Sequence, residues 1–177
     1  MIENLFRTLD VDNVIEVFIH LCLERKVLLV SRHKNLLSQV TTALMSLMYP
    51  LSWQQTCIPI LHSEVIEAIE APFPFLIGVP AQIFDRASVD ISEEVTVANL
   101  DLNSVLPVDS TQVKNSYRGF KTLKERLIRA TSHIRKRPDP LLAHADEAFF
   151  RIWRDIDDEE SMDVDEIVVR DAFLEFM

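Results

Sequence analysis

Glycine is nearly missing from this chain: its 177 residues include two, Gly78 and Gly119. A loop that cradles phosphate needs several glycines so that backbone N–H groups can close on the anion. Neither G-x-G-x-x-G nor G-x-x-x-x-G-K can be written here, so the nucleotide-binding enzymes common on α/β folds lose their best support. Cysteine is as scarce, with Cys22 and Cys57 alone, and neither a disulfide framework nor a C-x-x-C pair is present. Both thiols fall in apolar runs and read as reduced core residues, which points to a reducing, cytosolic compartment. No apolar run approaches the ~18 residues needed to cross a bilayer, and Met1-Ile2-Glu3-Asn4 does not read as a signal peptide.

Chemistry-bearing spacings are missing too. His20, His33, His62, His133 and His144 form no H-x-x-x-H or H-E-x-x-H pair, so no metal or cofactor is expected. His20 lies beside an apolar stripe and is expected to be partly buried, the others to face solvent. Ser31 stands between a strand-like and a helix-like run, where a hydrolase keeps its nucleophile. Its neighbours Val30 and Arg32 are too large for that turn, so it reads as a cap or turn serine. No catalytic residue is expected. The net charge of −10 repels phosphates and argues against nucleic acid and against nonspecific docking on anionic membrane.

What is present is core. A hydrophobic fraction of 48% suits one domain burying roughly 70% of its unfolded surface. Val14, Val17, Phe18, Leu21 and Cys22 recur at helical spacing, with Asp12 or Asn13 as N-cap and an end near Arg25. Val27-Leu28-Leu29-Val30 is too short for a helix and right for a strand covered on both faces. A second helix is expected from Asn35 to Met48, carrying Leu37, Val40, Leu44 and Leu47 and ended by Pro50. Thr56 to Pro59 reads as a strand, Ser63 as the cap of a short helix, and Phe75 to Val79 as a third strand. A short helical piece near Gln82 to Arg86 and a further strand over Val95 to Leu102 follow.

Strand, helix, strand, helix, strand with short joins predicts an α/β fold: a largely parallel central sheet flanked by helices, followed by a mainly helical C-terminal segment. In that segment, Lys114 to Arg137 is a basic amphipathic helix that could meet an acidic partner, a membrane, or the chain's own Asp157-Asp158-Glu159-Glu160, read as a solvated linker. Leu142, Ala145, Phe149, Ile152 and Ile156 space a further helix. Ile167 to Met177 begins one more.

Two groups are candidates for a contact surface. Glu70, Pro72, Phe73 and Pro74 form an extended segment stiffened by two prolines, so ordering it against a partner costs little. Asp101 and Asn103 fall at the end of a predicted strand, where open α/β sheets bind ligands. The bland alternative for Asp101 and Asn103 is that they cap the turn, and for both groups that they serve packing. The two groups are expected at the same end of the sheet.

The run LCLERKVLLVSRHKNLLSQVTTALMSLMYPLSWQQTCIPIL, then EAPFPFLIGV and VANLDLNSV, resembles the central module of DENN domains. The features that carry the resemblance are Glu24-Arg25-Lys26 before the strand and Ser31 after it, Tyr49-Pro50-Leu51 with Trp53, and Ile58-Pro59. Ala71-Pro72 with Pro74-Phe75, Gly78, and Leu100-Asp101 with Asn103 complete them. The likeness covers about residues 12 to 103, and Val169 to Met177 is similar to the opening of the family's downstream module. It implies residues 1–107 as the central module, 108–166 as a helical connector, and 167–177 as the start of the downstream one. It also implies a guanine nucleotide exchange factor for Rab-type small GTPases in membrane traffic, cytoplasmic and in part peripheral on endomembranes, with no covalent chemistry. Family members hold the GTPase between an upstream longin-like lobe and the α/β lobe. The sequence opens on the α/β lobe and stops early in the downstream module, which reads as a truncation. The alternative is therefore a GTPase-binding or scaffold module without exchange.

Overall fold

The computed structural model describes residues 1–86, 94–106, 119–134 and 166–177. The run Val27-Leu28-Leu29-Val30 lies at the centre of it, in strand β1 (Lys26–Ser31). Its side chains alternate: Val27 and Leu29 enter one core cluster, Leu28 and Val30 the other. A strand buried on both faces needs no polar positions, which is why it reads as an unbroken apolar run. β1 is flanked by β3 (Phe75–Pro80) and β4 (Val95–Asn99), both parallel to it. Strand β2 (Thr56–Ile58) adds in parallel to β3, and β5 (Ser104–Leu106) pairs antiparallel with β4, so the order is β2-β3-β1-β4-β5. The α/β fold with a mostly parallel sheet is the one expected.

One face is covered by α1 (Ile2–Thr8), α2 (Val11–Cys22) and α3 (Lys34–Leu47), joined by α5 (Phe120–Ala130) and α6 (Glu166–Phe176). The other is covered by a 3₁₀ helix, Ser63–Glu70, and by α4 (Ala81–Arg86). The expected positions Leu37, Val40, Leu44 and Leu47 are all buried. Gly78 is a packing glycine: a Cβ there would lie 2.1 Å from the Pro59 carbonyl oxygen. That approach lets the chain after β2 lie against β3, where Leu61 N–H donates to the Gly78 carbonyl at 2.7 Å.

Four expectations change. Helix α1 was not among the elements read from the sequence, although Ile2, Leu5, Phe6 and Leu9 are buried on one side of it. Helix α2 starts earlier than Asp12, with Asp10 as N-cap, where Asn103 holds Asp10 from a distance through its N–H and its carboxylate. It also stops at Cys22 and not near Arg25. Arg25 N–H returns to the His20 carbonyl and Glu24 N–H to that of Leu21, a Schellman turn whose left-handed residue is Glu24 at φ 50° instead of the usual glycine. The strand expected over Val95 to Leu102 breaks at Leu100, and the chain reverses into β5 through Asn103 at φ 48°. Finally, Cys57 is exposed because β2 is an edge strand, while Cys22 is half-buried and burial pushes its thiol up to about 11; both are free. Of the basic helix Lys114 to Arg137, Phe120–Ala130 is described. The helix through Leu142 to Ile156 and the acidic run after it lie outside the described residues.

Candidate functional site

Asp101 lies just past β4, and its carboxylate is engaged within the fold. Ser31 Oγ donates to Asp101 Oδ1 at 3.0 Å, Arg32 N–H donates to Asp101 Oδ2 at 2.7 Å, and His33 N–H donates to Ser31 Oγ at 3.0 Å. Ser31 is fully buried, so this triangle fastens the end of β1 and the start of α3 to the β4–β5 turn. Asn103 does the same for α2. Its Oδ1 accepts from Asp10 N–H at 2.7 Å and from Asn13 Nδ2 at 3.0 Å, and its Nδ2 donates to Asp10 Oδ2 at 2.8 Å. An asparagine tolerates the left-handed backbone of this turn and presents an amide with both polarities to a helix start. These contacts have the geometry of the turn-capping alternative.

The other group is built differently. The 3₁₀ helix ends at Glu70, Ala71 is extended, and Phe75 is fully buried at the start of β3. Between these fixed points Pro72 and Pro74 restrict the backbone, and Phe73 stands 49% exposed. Glu70 is exposed at the closing turn. A half-exposed phenylalanine on a stiff, doubly anchored segment is a ready contact point.

The two groups are not together, contrary to expectation. β3 and β4 both run parallel to β1, so residues entering β3 and residues leaving β4 fall at opposite ends of the sheet. Four strand steps separate Val95 from Asn99, about 13 Å at about 3.3 Å each, and Asp101 lies beyond that end. A single small contact cannot use both.

The end that holds Phe73 has members the sequence reading missed. Helix α3 returns the chain to it, and there Tyr49 is 70% and Leu51 53% exposed. Both fall outside the α3 stripe and flank Pro50, which is the signal that could have singled them out. Glu67 and Glu70, three residues apart on the 3₁₀ helix that returns to this end, are exposed, as is Glu64 towards its other end. Among the described residues none of these three carboxylates meets a cationic side chain. No helix there is long and apolar enough to cross a membrane, and no cluster of acidic, histidine and cysteine side chains could hold a metal ion.

The sequence is similar to those of known proteins. A profile of the DENN (AEX-3) domain matches residues 1–103. The chain belongs to the DENN family. DENN domain-containing protein 2A of Mus musculus is 36% identical over 115 residues, which is 59% of this DENN chain and 12% of the relative. The protein of that name in Homo sapiens is 31% identical over 145 residues, 82% of this chain and 14% of the relative. The DENN domain and WD repeat-containing protein SCD1 of Arabidopsis thaliana is 33% identical over 104 residues, covering 59% of this chain and 9% of its own length. The chain thus spans about a tenth of the curated relatives it matches. The matched family region takes in β1 to β4, the Asp101 latch, Asn103 and the Glu70–Pro74 segment, and ends before α5 and α6.

Proposed function

We propose that this DENN chain is the α/β part of a guanine nucleotide exchange factor that binds Rab-type small GTPases and promotes GDP release in membrane traffic. The match of residues 1–103 to the DENN family carries the reading, because Rab exchange is that family's activity. The chemistry required is compatible with what the chain offers. Exchange makes and breaks no covalent bond, so it asks for no nucleophile, metal or glycine loop. It asks for a surface that binds the empty GTPase more tightly than the loaded one, since the two binding equilibria must weaken each other by the same factor. Speeding release 10⁴-fold takes about 5.5 kcal/mol of differential stabilisation. A few buried apolar anchors within an interface of ordinary size supply that. The Glu70–Pro74 segment is where we place the contact, on the cytoplasmic face of endomembranes that carry the GTPase.

A second reading is a GTPase-binding or scaffold module without exchange, since binding a GTPase asks less of a surface than preferring its empty form. One experiment separates the two. The 177-residue chain is immobilised and offered a panel of Rab-type GTPases, nucleotide-free and GTP-loaded, and release of labelled GDP is followed in parallel. Preferential retention of the empty form with faster release is expected. Equal retention of both forms without release assigns the scaffold role, and no retention of any GTPase overturns both readings.

A further inference from the structure

The end of the sheet at which β2 and β3 begin carries more apolar surface than the fold needs. Tyr49, Leu51 and Phe73 are each about half exposed or more, at 70%, 53% and 49%. They sit on the lead-ins to β2 and β3, which pair directly, so these lead-ins start from strands about 4.8 Å apart. Large exposed apolar side chains on the lead-ins to two neighbouring strands are candidates for a contact site. The charges beside them narrow the partner. In a 3₁₀ helix residues three apart eclipse, about 6 Å from each other at about 2.0 Å per residue. Ile66 and Ile69 use this repeat to face the second core, and Ile69 is 4% exposed. The same repeat stacks Glu67 over Glu70 on the outside, beyond the break at Val65. Both carboxylates occupy the C-terminal half of the helix, where the dipole disfavours anions, and no basic residue shares the last turn. Like charges one turn apart repel. The fold leaves this repulsion standing next to its exposed aromatic residue.

We propose that this sheet end receives a cationic and apolar face of the Rab-type GTPase: Phe73, with Tyr49 and Leu51, is its apolar anchor, and Glu67 and Glu70 choose partners that bring Lys or Arg beside it. The inference rests on the exchange reading above and specifies which GTPases that reading admits. An anionic membrane or a nucleic acid is repelled by the same carboxylates. Charges at the edge of an interface act on encounter, and buried anchors act on departure.

The test uses the full chain and each Rab-type GTPase that the wild type retains in its nucleotide-free form, with association and dissociation rates read separately. The double variant Glu67→Lys/Glu70→Lys is expected to slow association about tenfold at low salt, with the difference fading at high salt. Phe73→Ala is expected to speed dissociation about tenfold and leave the salt dependence unchanged. Glu125→Lys, an exposed reversal on α5, keeps both rates within about twofold. All these positions are exposed, so melting temperatures close to wild type confirm that the variants fold. If the GTPase binds and both rates ignore the Glu67/Glu70 and Phe73 variants, this surface is wrong and the exchange reading stands. A loss confined to Phe73→Ala overturns the cationic partner. A wild type that retains no Rab-type GTPase overturns the exchange reading, and this inference falls with it.

Discussion

At the scale of single residues, His20 ties stability to pH. Its side chain is fully buried on α2, Nδ1 is hydrogen-bonded to Thr96 Oγ1 on β4, and Nε2 has no partner among the described residues. Burial, and then the Arg25 guanidinium, hold the imidazole at about 4, against an ordinary 6.5. The unfolded chain therefore takes up a proton first as pH falls. The contribution to stability is complete above about 6.5 and is lost progressively towards 4, and the gap is worth about 3 kcal/mol. Urea unfolding between pH 7 and 4 should show this loss in the wild type and a flatter profile in His20→Gln. Equal profiles would show that the imidazole is already charged in the fold. The sequence placed His20 beside the apolar stripe but could not show how deep it goes. That depth is set by Thr96, which is 76 positions away.

At the scale of elements, the strands and main helices were legible because their own side chains carry the signal: continuous apolar runs for buried strands and a 3.6-residue stripe for α2 and α3. Their joints were not, because the groups that cap them are distant in the chain. Asn103 reaches Asp10 across 93 positions, and Asp101 reaches Ser31 across 70. No local pattern announces such pairs, so α2 was started too late and β4 was run through its turn. The Glu70–Pro74 segment was legible because two prolines announce extended backbone locally, whereas the sheet end it occupies depends on the direction of β3. The latch makes a separate prediction. Asp101→Ala strands Ser31 Oγ and Arg32 N–H, and should lower stability by about 2–3 kcal/mol in denaturant titrations. A variant that keeps its midpoint and loses GTPase binding would assign Asp101 to the partner instead.

At the scale of the whole molecule, α6 is part of the same body as α2. Phe173 and Phe18 are both fully buried, with ring centroids 4.4 Å apart, and Val169 and Ala172 join the first core. Arg126 on α5 pairs with Glu175 on α6. The amphipathic spacing of α6 was visible in the sequence; the surface it covers was not, since Phe18 lies 155 positions earlier. Phe173→Ala should cost about 3–5 kcal/mol and lower the melting temperature of the entire domain in one transition. A main transition that stays in place would mean that α6 melts by itself.

Strand β1 sits between β3 and β4, and both of its partners are later in the chain. During synthesis, Val27-Leu28-Leu29-Val30 is therefore made after α2 but well before either strand that pairs with it, and the first of these is complete only at Pro80. Translation at about 5–20 residues per second leaves that apolar strand waiting for several seconds. The central strand of the finished sheet is thus, in the nascent chain, an apolar strand with both of its edges open until β3 and β4 follow.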